Sequence, residues 1–333
     1  VVIHREKSKR VGIIDVAREA GVSTATVSFV LAGKEPVADA TRERVLEVVR
    51  RLGYQRNRHA RALRRGAPRS LSAVVPDVTN PFYAELIAAI ENAASSQGWM
   101  LSLMNCQLDP AREVSYLNTV FDEVPDGIIY VPMTSDAVLD VESRFDSGPP
   151  IVIVDEITSH AGVGAVSVDN EAGARMAARH FRSLGRRRAL VTGPPQGLPT
   201  SQSRSTGFID EAAKVGLEVA HAAFGQVRTS DAGAVAADLL LRDRSIDAYF
   251  AGNDFLAIQV LFELQRAGLR VPEDIAICGF DGIAWGQMIT PRLTTVRQPI
   301  DLIASAVIDL ISKPVDEHHE IVLPVEFVRG QTT

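Results

Sequence analysis

Apolar positions near the start of the chain recur at helical spacing, broken at short intervals by turn-forming residues. From Gly12 the order GIIDVAREA is a short helical pattern that stops at Gly21, a residue free to take left-handed backbone. Ser23 then stands where it can cap a new helix. Along Thr24 to Ala32 the residues Val27, Val30 and Leu31 fall on one face, and Ala25, Ser28, Phe29 and Ala32 fall on the other. A third amphipathic helix is expected over Thr41 to Leu52, with Val45, Leu46, Val48, Val49 and Leu52 closing a small core and Gly53 ending it. Two short helices joined by a glycine turn are the geometry of a helix-turn-helix, whose second helix offers its outer face to the major groove.

Past the linker Gly66-Ala67-Pro68-Arg69-Ser70 the period changes. Short apolar runs, Leu71 to Val75, Leu101 to Met104, Gly127 to Val131 and Ile151 to Val154, alternate with helical patterns over Pro81 to Ser96 and Ala111 to Phe121. A second cycle sets the runs Ala165 to Val168, Arg188 to Thr192, Ala248 to Ala251 and Ile275 to Gly279 among helices over 171–184, 203–215, 232–241 and 255–267. This is the rhythm of βαβ units and of parallel sheets covered on both faces, and two such cycles predict two lobes with a cleft between them.

Charge sharpens the division. Residues 1–69 carry 16 Lys and Arg against 7 Asp and Glu, which leaves 19 against 34 for the remainder. A small basic part joined to a large acidic part points to a polyanion partner for the small part alone. The helix-turn-helix pattern argues against a merely solvated tail. Gln55 to Arg65 adds five arginines on a helix-forming stretch, suited to phosphates. Hydrophobic content is 46%, and no run approaches the length of a membrane span. Val1 to Arg10 is polar and charged, unlike a signal segment, so a cytoplasmic location is expected. Cys106 and Cys278 lie far apart in apolar stretches and are expected to be buried free thiols. No metal site and no cofactor are expected.

The headpiece pattern is specific enough to place. Asp15-Val16-Ala17, Ala20-Gly21-Val22-Ser23, Thr26-Val27-Ser28, Val30-Leu31, Thr41-Arg42-Glu43-Arg44-Val45 and Leu52-Gly53-Tyr54 resemble the headpiece of the LacI/GalR family, and Asn57 to Leu63 resembles its hinge helix. The resemblance implies DNA contacts from Thr24, Ala25, Thr26, Ser28 and Phe29 in the recognition helix, and from Asn57, Arg58, Ala60, Arg61, Leu63 and Arg64 in the hinge. Leu63 resembles the leucine that wedges between base pairs in the minor groove; the alternative for it is ordinary packing between domains. The chain departs from the family at Phe29, where arginine is usual, at Ala32, where asparagine is usual, and at Ala38, which replaces a capping serine and leaves Asp39 or Thr41 to cap. Phenylalanine cannot read a guanine edge as arginine does, but it can touch a thymine methyl.

Val75 to Phe82, Val168-Asp169-Asn170, Ser203-Arg204 with Gly207-Phe208, Asn253-Asp254, Gly279-Phe280-Asp281 and Leu293 to Pro299 are similar to the family's sensor. The resemblance implies an all-α helix-turn-helix headpiece followed by an α/β two-lobed periplasmic-binding-protein-like sensor of type I with parallel sheets. The implied division is an N-terminal extension over 1–11, a headpiece over 12–56, a hinge helix and linker over 57–69 and a sensor over 70–333. Within the sensor, one lobe takes 70–166 with 297–322 and the other 167–296 with 323–333, the chain crossing near 165–169, 294–299 and 320–326. Ligands in such sheets sit at strand ends. On that ground, and by the resemblance, Phe82, Tyr83, Arg204, Asn253, Asp281 and Trp285 are the effector-binding candidates.

Their chemistry suits a sugar or sugar derivative: a forked donor, a carboxylate for paired hydroxyls, an amide and aromatic faces. Taken singly, each polar member could equally be a loop cap or an ion pair. The loops 196–202 and 224–230 are expected to decide effector identity. These features together lead to the expectation of a repressor that binds pseudo-palindromic operator DNA as a homodimer under allosteric control, with no membrane partner and no catalytic residue. Enzyme signatures are missing: no G-x-G-x-x-G follows the first strand, and there is no phosphate loop, H-E-x-x-H or G-x-S-x-G. His318-His319-Glu320 reads as a surface polar cluster.

Overall fold

The structure, a computed structural model, describes residues 13–31, 37–52, 69–144, 149–157, 163–193, 198–224, 229–313 and 319–333. The chain forms two compact units, Val1–Ala67 and Pro68–Thr333, dividing two residues before the boundary expected at 69.

In the first unit, α1 (Ile13–Ala20), α2 (Thr24–Leu31) and α3 (Asp39–Leu52) close on Val16, Ala17, Ala20, Val27, Val30, Val45 and Val48. Gly21 has φ of +63°, and the amide of Val22 donates to the carbonyl of Ala17 at 3.0 Å, so α1 ends in a left-handed turn as the sequence predicts. Ser23 caps α2: its Oγ accepts from the amide of Thr26 at 3.1 Å. Two details differ from expectation. The carbonyl of Ala38 accepts from the amides of Thr41 and Arg42, so Asp39 and Thr41 are inside α3 and neither occupies the cap. Leu46 is exposed, because only the 45/48 pair and the half-buried Val49 and Leu52 face α1 and α2.

The second unit holds two six-stranded sheets. Its elements in order are β1 (Arg69–Val75), α4 (Pro81–Ser96), β2 (Trp99–Asn105), α5 (Pro110–Glu123), β3 (Gly127–Tyr130), α6 (Ser135–Arg144), β4 (Ile151–Val154), β5 (Gly164–Val168) and α7 (Asn170–Ser183). Then come β6 (Arg188–Gly193), α8 (Pro199–Val215), β7 (Glu218–Phe224), α9 (Thr229–Arg242), β8 (Ala248–Ala251), α10 (Asp254–Arg266), β9 (Ala276–Asp281) and α11 (Trp285–Met288). The chain finishes with β10 (Thr294–Arg297), α12 (Ile300–Ser312), β11 (Glu320–Leu323) and β12 (Glu326–Val328).

The first sheet runs β11-β5-β4-β3-β1-β2, with every pairing parallel. The second runs β12-β10-β9-β8-β6-β7 and is parallel except for the β10–β12 pair. Alternation along each strand divides the core. Leu71, Ala73 and Val75 face α4 and α12, whereas Val74, Ile128 and Tyr130 face α5 and α6. The chain leaves the first sheet at Asp169, returns over Gln298 and Pro299, and leaves again at 324–325. Ser167, Val168 and Leu323 therefore stand in the first sheet and Arg297 in the second, one or two residues away from the lobe boundaries drawn on the sequence. Cys106 and Cys278 are buried free thiols.

Gly279 in β9 packs against the N-terminus of α10: a Cβ there would lie 2.1 Å from Oδ1 of Asp254 and 3.2 Å from its Cα. Asp254 is fully buried and cannot retreat, since its carboxylate takes the hydroxyl of Thr295 and the amides of Gly282 and Ile283. Gly279→Ala is expected to cost about 3 kcal/mol, measured as a lowered urea midpoint with an unchanged slope.

Candidate functional site

The first candidate surface is on the helix-turn-helix unit. With Val27 and Val30 turned into the core, Thr24 and Ala25 are exposed on α2 together with Phe29, whose side chain is 47% exposed. Thr26 is half-buried and its hydroxyl meets Ser23 Oγ at 2.9 Å, so it serves the turn as well as the outer face. Ser28 lies on α2, with its side chain outside the described residues, as are the hinge candidates Asn57, Arg58, Ala60, Arg61, Leu63 and Arg64. An exposed phenylalanine on a helix of otherwise small side chains is what remains when the hydrophobic face is already filled.

The second candidate site lies between the two sheets of the sensor, at the ends of β4, β8 and β9. It is a cavity of about 60 Å³, lined by Phe82 and Tyr83 from α4, Asp155 after β4, Leu198, Thr200, Ser201 and Arg204 at the start of α8, Asn253 and Asp281, with Asn80, Val131 and Pro132 completing the wall. Arg204 is its centre and is only 6% exposed. Nε donates to Oδ1 of Asn170 at 2.6 Å, and Nη1 donates to the carbonyl of Gly252 at 2.8 Å. Longer contacts of 3.4 Å join Nη1 to Asp281 and Nη2 to Asp155. The guanidinium stacks on the ring of Phe280 at 4.0 Å. The fork predicted to hold ligand is thus already held by the protein, and the two long carboxylate contacts are the ones that incoming hydroxyls can displace most cheaply.

Asp281 ends β9 with φ of 115°, a left-handed conformation that costs a non-glycine residue about 1–3 kcal/mol. Its surroundings hold it there: its carbonyl accepts from the amide of Gln298, Oδ1 accepts from Gln298 Nε2 at 2.9 Å, and the two amides that follow it are bound by Asp254. Burial pushes the carboxyl of Asp281 up to about 7 despite Arg204, with Asp155 adding to the rise. Asp155, also left-handed at φ of 60°, is raised by burial too, against the pull of Arg204. Burial and these two carboxylates hold the phenol of Tyr83 protonated. One guanidinium therefore faces two carboxyls, a donor-poor and acceptor-rich site with no surplus of positive charge.

Asn253 caps α10, its Oδ1 accepting from the amide of Leu256 at 2.8 Å, so the loop-cap alternative holds for it while its amide nitrogen can still face the cavity. Phe82 lines the wall but is almost wholly buried, set edge-on to the half-buried Tyr83 at 5.4 Å. Trp285 is the exception: it begins α11, is 52% exposed, and is not part of the lining. Of the stretches 196–202 and 224–230, expected to decide effector identity, the first brings Leu198, Thr200 and Ser201 to the lining, and residues 196–197 and 225–228 lie outside the described residues. Sequence reasoning does not single out Asp155, Asn170 and Gln298. A polar residue just past a fully apolar strand run, Ile151 to Val154, is a usable signal for Asp155; the others act through contacts distant in sequence.

A family model described as bacterial regulatory proteins, lacI family, matches residues 12–57, and one for a periplasmic binding protein-like domain matches residues 178–333. The ribose operon repressor of Halalkalibacterium halodurans is 34% identical over 96% of this chain and 96% of its own. The chain belongs to the lacI family. Among solved structures, a transcriptional regulator CelR–cellobiose complex aligns with TM-score 0.71 at 25% identity over 97% of this chain and 100% of the other. A LacI family transcriptional regulator from Enterococcus faecium with bound ribose aligns with TM-score 0.69 at 28% identity over 80% of this chain and 98% of the other. As a lacI-family member the chain is a helix-turn-helix transcription regulator with a two-lobed sensor. No described helix is long and apolar enough to cross a membrane.

Proposed function

We propose that this lacI-family regulator is a homodimeric repressor that leaves or holds its operator according to a neutral sugar bound between the sensor lobes. The observation that carries this reading is Arg204, nearly buried at the cleft and set at 3.4 Å from a carboxylate of each lobe, Asp155 and Asp281. Two carboxyls and one fork can receive and donate to vicinal hydroxyls at once, with Tyr83 and Phe82 covering an apolar ring face. The ribose and cellobiose of the related structures are uncharged polyols of the same class. Sugar phosphates and sugar acids are disfavoured, because a further anion would face Asp155 and Asp281 with Arg204 already shared between them.

DNA binding rests on α2 and on the arginines before Ser70, and a single headpiece reads too few base pairs to be selective, which makes a two-fold dimer on a pseudo-palindrome the fitting assembly. Such a protein acts where the chromosome is, in the cytoplasm. Thermal shift of the full chain with D-ribose, cellobiose and D-ribose 5-phosphate tests the sensor. A neutral sugar is expected to raise the melting temperature and to change affinity for an operator selected from random duplexes, and the phosphate is expected to do neither. Stabilisation by the phosphate alone would overturn the neutral-sugar reading. A chain beginning at Ser70 is expected to keep the sugar response and to lose the steeply salt-dependent operator binding. Specific DNA binding by that shortened chain would remove the headpiece from the mechanism.

A further inference from the structure

Helix α8, which carries Arg204, begins without a cap of its own. Leu198 occupies the cap position in extended backbone, and its side chain makes no capping bond; Pro199 follows. The first free amide is that of Thr200, and it does not go to water. It donates to Oε1 of Glu156 at 3.1 Å and to Oε2 at 3.4 Å, while the Thr200 hydroxyl donates to Oε2 at 2.9 Å. Glu156 belongs to the other lobe, in the turn after β4, and is 1% exposed. Its remaining donor is its neighbour, the amide of Ile157 at 3.1 Å.

Two consecutive carboxyls of the first lobe therefore grip one helix of the second: Asp155 meets Arg204 and Glu156 meets Thr200. Thr200 and Arg204 are four residues apart, one above the other on the same helix face. Side chains of neighbouring residues in extended backbone point to opposite faces, and the left-handed φ at Asp155 breaks that alternation just where both must reach α8.

We propose that Glu156 is a positioning residue for the Arg204 site: it supplies across the cleft the N-terminal cap that α8 lacks, so that approach of the lobes and placement of Arg204 are a single event. Capping costs or gains follow the lobe angle, because the acceptor and the helix it caps are on different lobes. When the lobes part, the Thr200 amide loses its partner and the first turn of α8 frays, while Arg204, one turn further on, loses Asp155 and keeps only its contacts with Asn170, Gly252 and Asp281 within its own lobe. When they close around a ligand, the turn is re-formed and the fork is aimed. The effector side of this inference rests on the sugar-binding reading above; the capping side does not.

Amide hydrogen exchange of the full chain, without ligand, reads the cap directly. In Glu156→Ala, exchange at Thr200 and Ser201, corrected for intrinsic rate, is expected to rise at least tenfold over the unchanged protein. Glu156→Gln keeps a carbonyl acceptor for the Thr200 amide and is expected to stay within about threefold. Unchanged exchange in the alanine variant, equal acceleration in both variants, or acceleration spread evenly over both sheets would each overturn the proposal. A D-ribose titration is the second readout: Glu156→Ala is expected to weaken affinity about tenfold and Glu156→Gln to restore most of it. A D-ribose affinity equal in the alanine variant and the unchanged protein would refute the positioning role. Failure of D-ribose to bind the unchanged protein would count against the sugar reading alone, the exchange result still deciding the cap.

Discussion

Arg204→Ala is expected to abolish the response to sugar and, at the same time, to destabilise the sensor by about 3–5 kcal/mol, the cost of breaking a buried ion pair from one side. From sequence alone this arginine is either a ligand anchor, whose loss spares operator binding, or an ion-pair residue, whose loss lowers stability broadly. The structure adds the second effect. Removing the guanidinium leaves Asp155 and Asp281 facing one another in a buried site, frees Oδ1 of Asn170 and the carbonyl of Gly252, and uncovers the face of Phe280. Some of that loss is recovered as the carboxyls take up protons, so the deficit should be smaller at pH 5 than at pH 8.

Arg204→Lys is expected to recover part of the stability, since a point charge still sits between the carboxylates, but little of the sugar affinity, since it cannot reproduce the fork. Urea unfolding gives the first quantity, and calorimetric titration with D-ribose or cellobiose the second. An alanine variant with wild-type stability would contradict the ion-pair geometry, and one that still bound sugar tightly would remove Arg204 from the site.

The sensor is expected to lose stability as pH rises toward and through 7, the reverse of the usual behaviour of salt-bridged carboxylates. Burial lifts Glu156 to about 7 and Asp281 to about 7, from ordinary values near 4. A folded-state value raised above the unfolded one means that the folded chain retains a proton the unfolded chain has released. Stability is then highest below about pH 4 for these two groups and falls across the window from about 4 to about 7. The charged groups that face them act in both directions: Asp155 raises both, Glu85 raises Asp281, and Arg204 lowers Asp281, while the amide and hydroxyl of Thr200 lower Glu156.

For Glu156 the contribution is on the order of 3 kcal/mol, from ~1.4 kcal/mol for each pH unit between the two values. In a sensor of this size the corresponding drop in melting temperature is roughly 5 °C or more between pH 5 and pH 8. Glu156→Gln should flatten its share of the slope and melt higher than the unchanged protein at pH 8. Parallel profiles for the two proteins would mean that Glu156 is ionised freely in the fold.

What the chain's pattern settled was local. The helix-turn-helix was legible because Gly21, Ser23 and the Val27/Val30 pair each act within a few residues of themselves, and the strand runs were legible because a strand buried on both faces must be apolar throughout, as Ile151 to Val154 is. The edge strands β11 and β12 were not, since their partly exposed side chains carry no such requirement, and β2, also at an edge, was legible only over its run Leu101 to Met104. Arg204, Asn253 and Asp281 could be chosen because strand ends and helix starts are where such sheets present polar side chains.

Trp285 could not be distinguished from them, because a loop's direction depends on what it packs against; α11 turns it to solvent while Asp254, from a different helix, ties down the backbone before it. The meeting of Asp155 and Glu156 with Arg204 and Thr200 was decided only by the tertiary structure. More than forty positions separate the two pairs, and only the packing of two lobes, each folded for its own reasons, brings a carboxylate of one to the uncapped helix of the other.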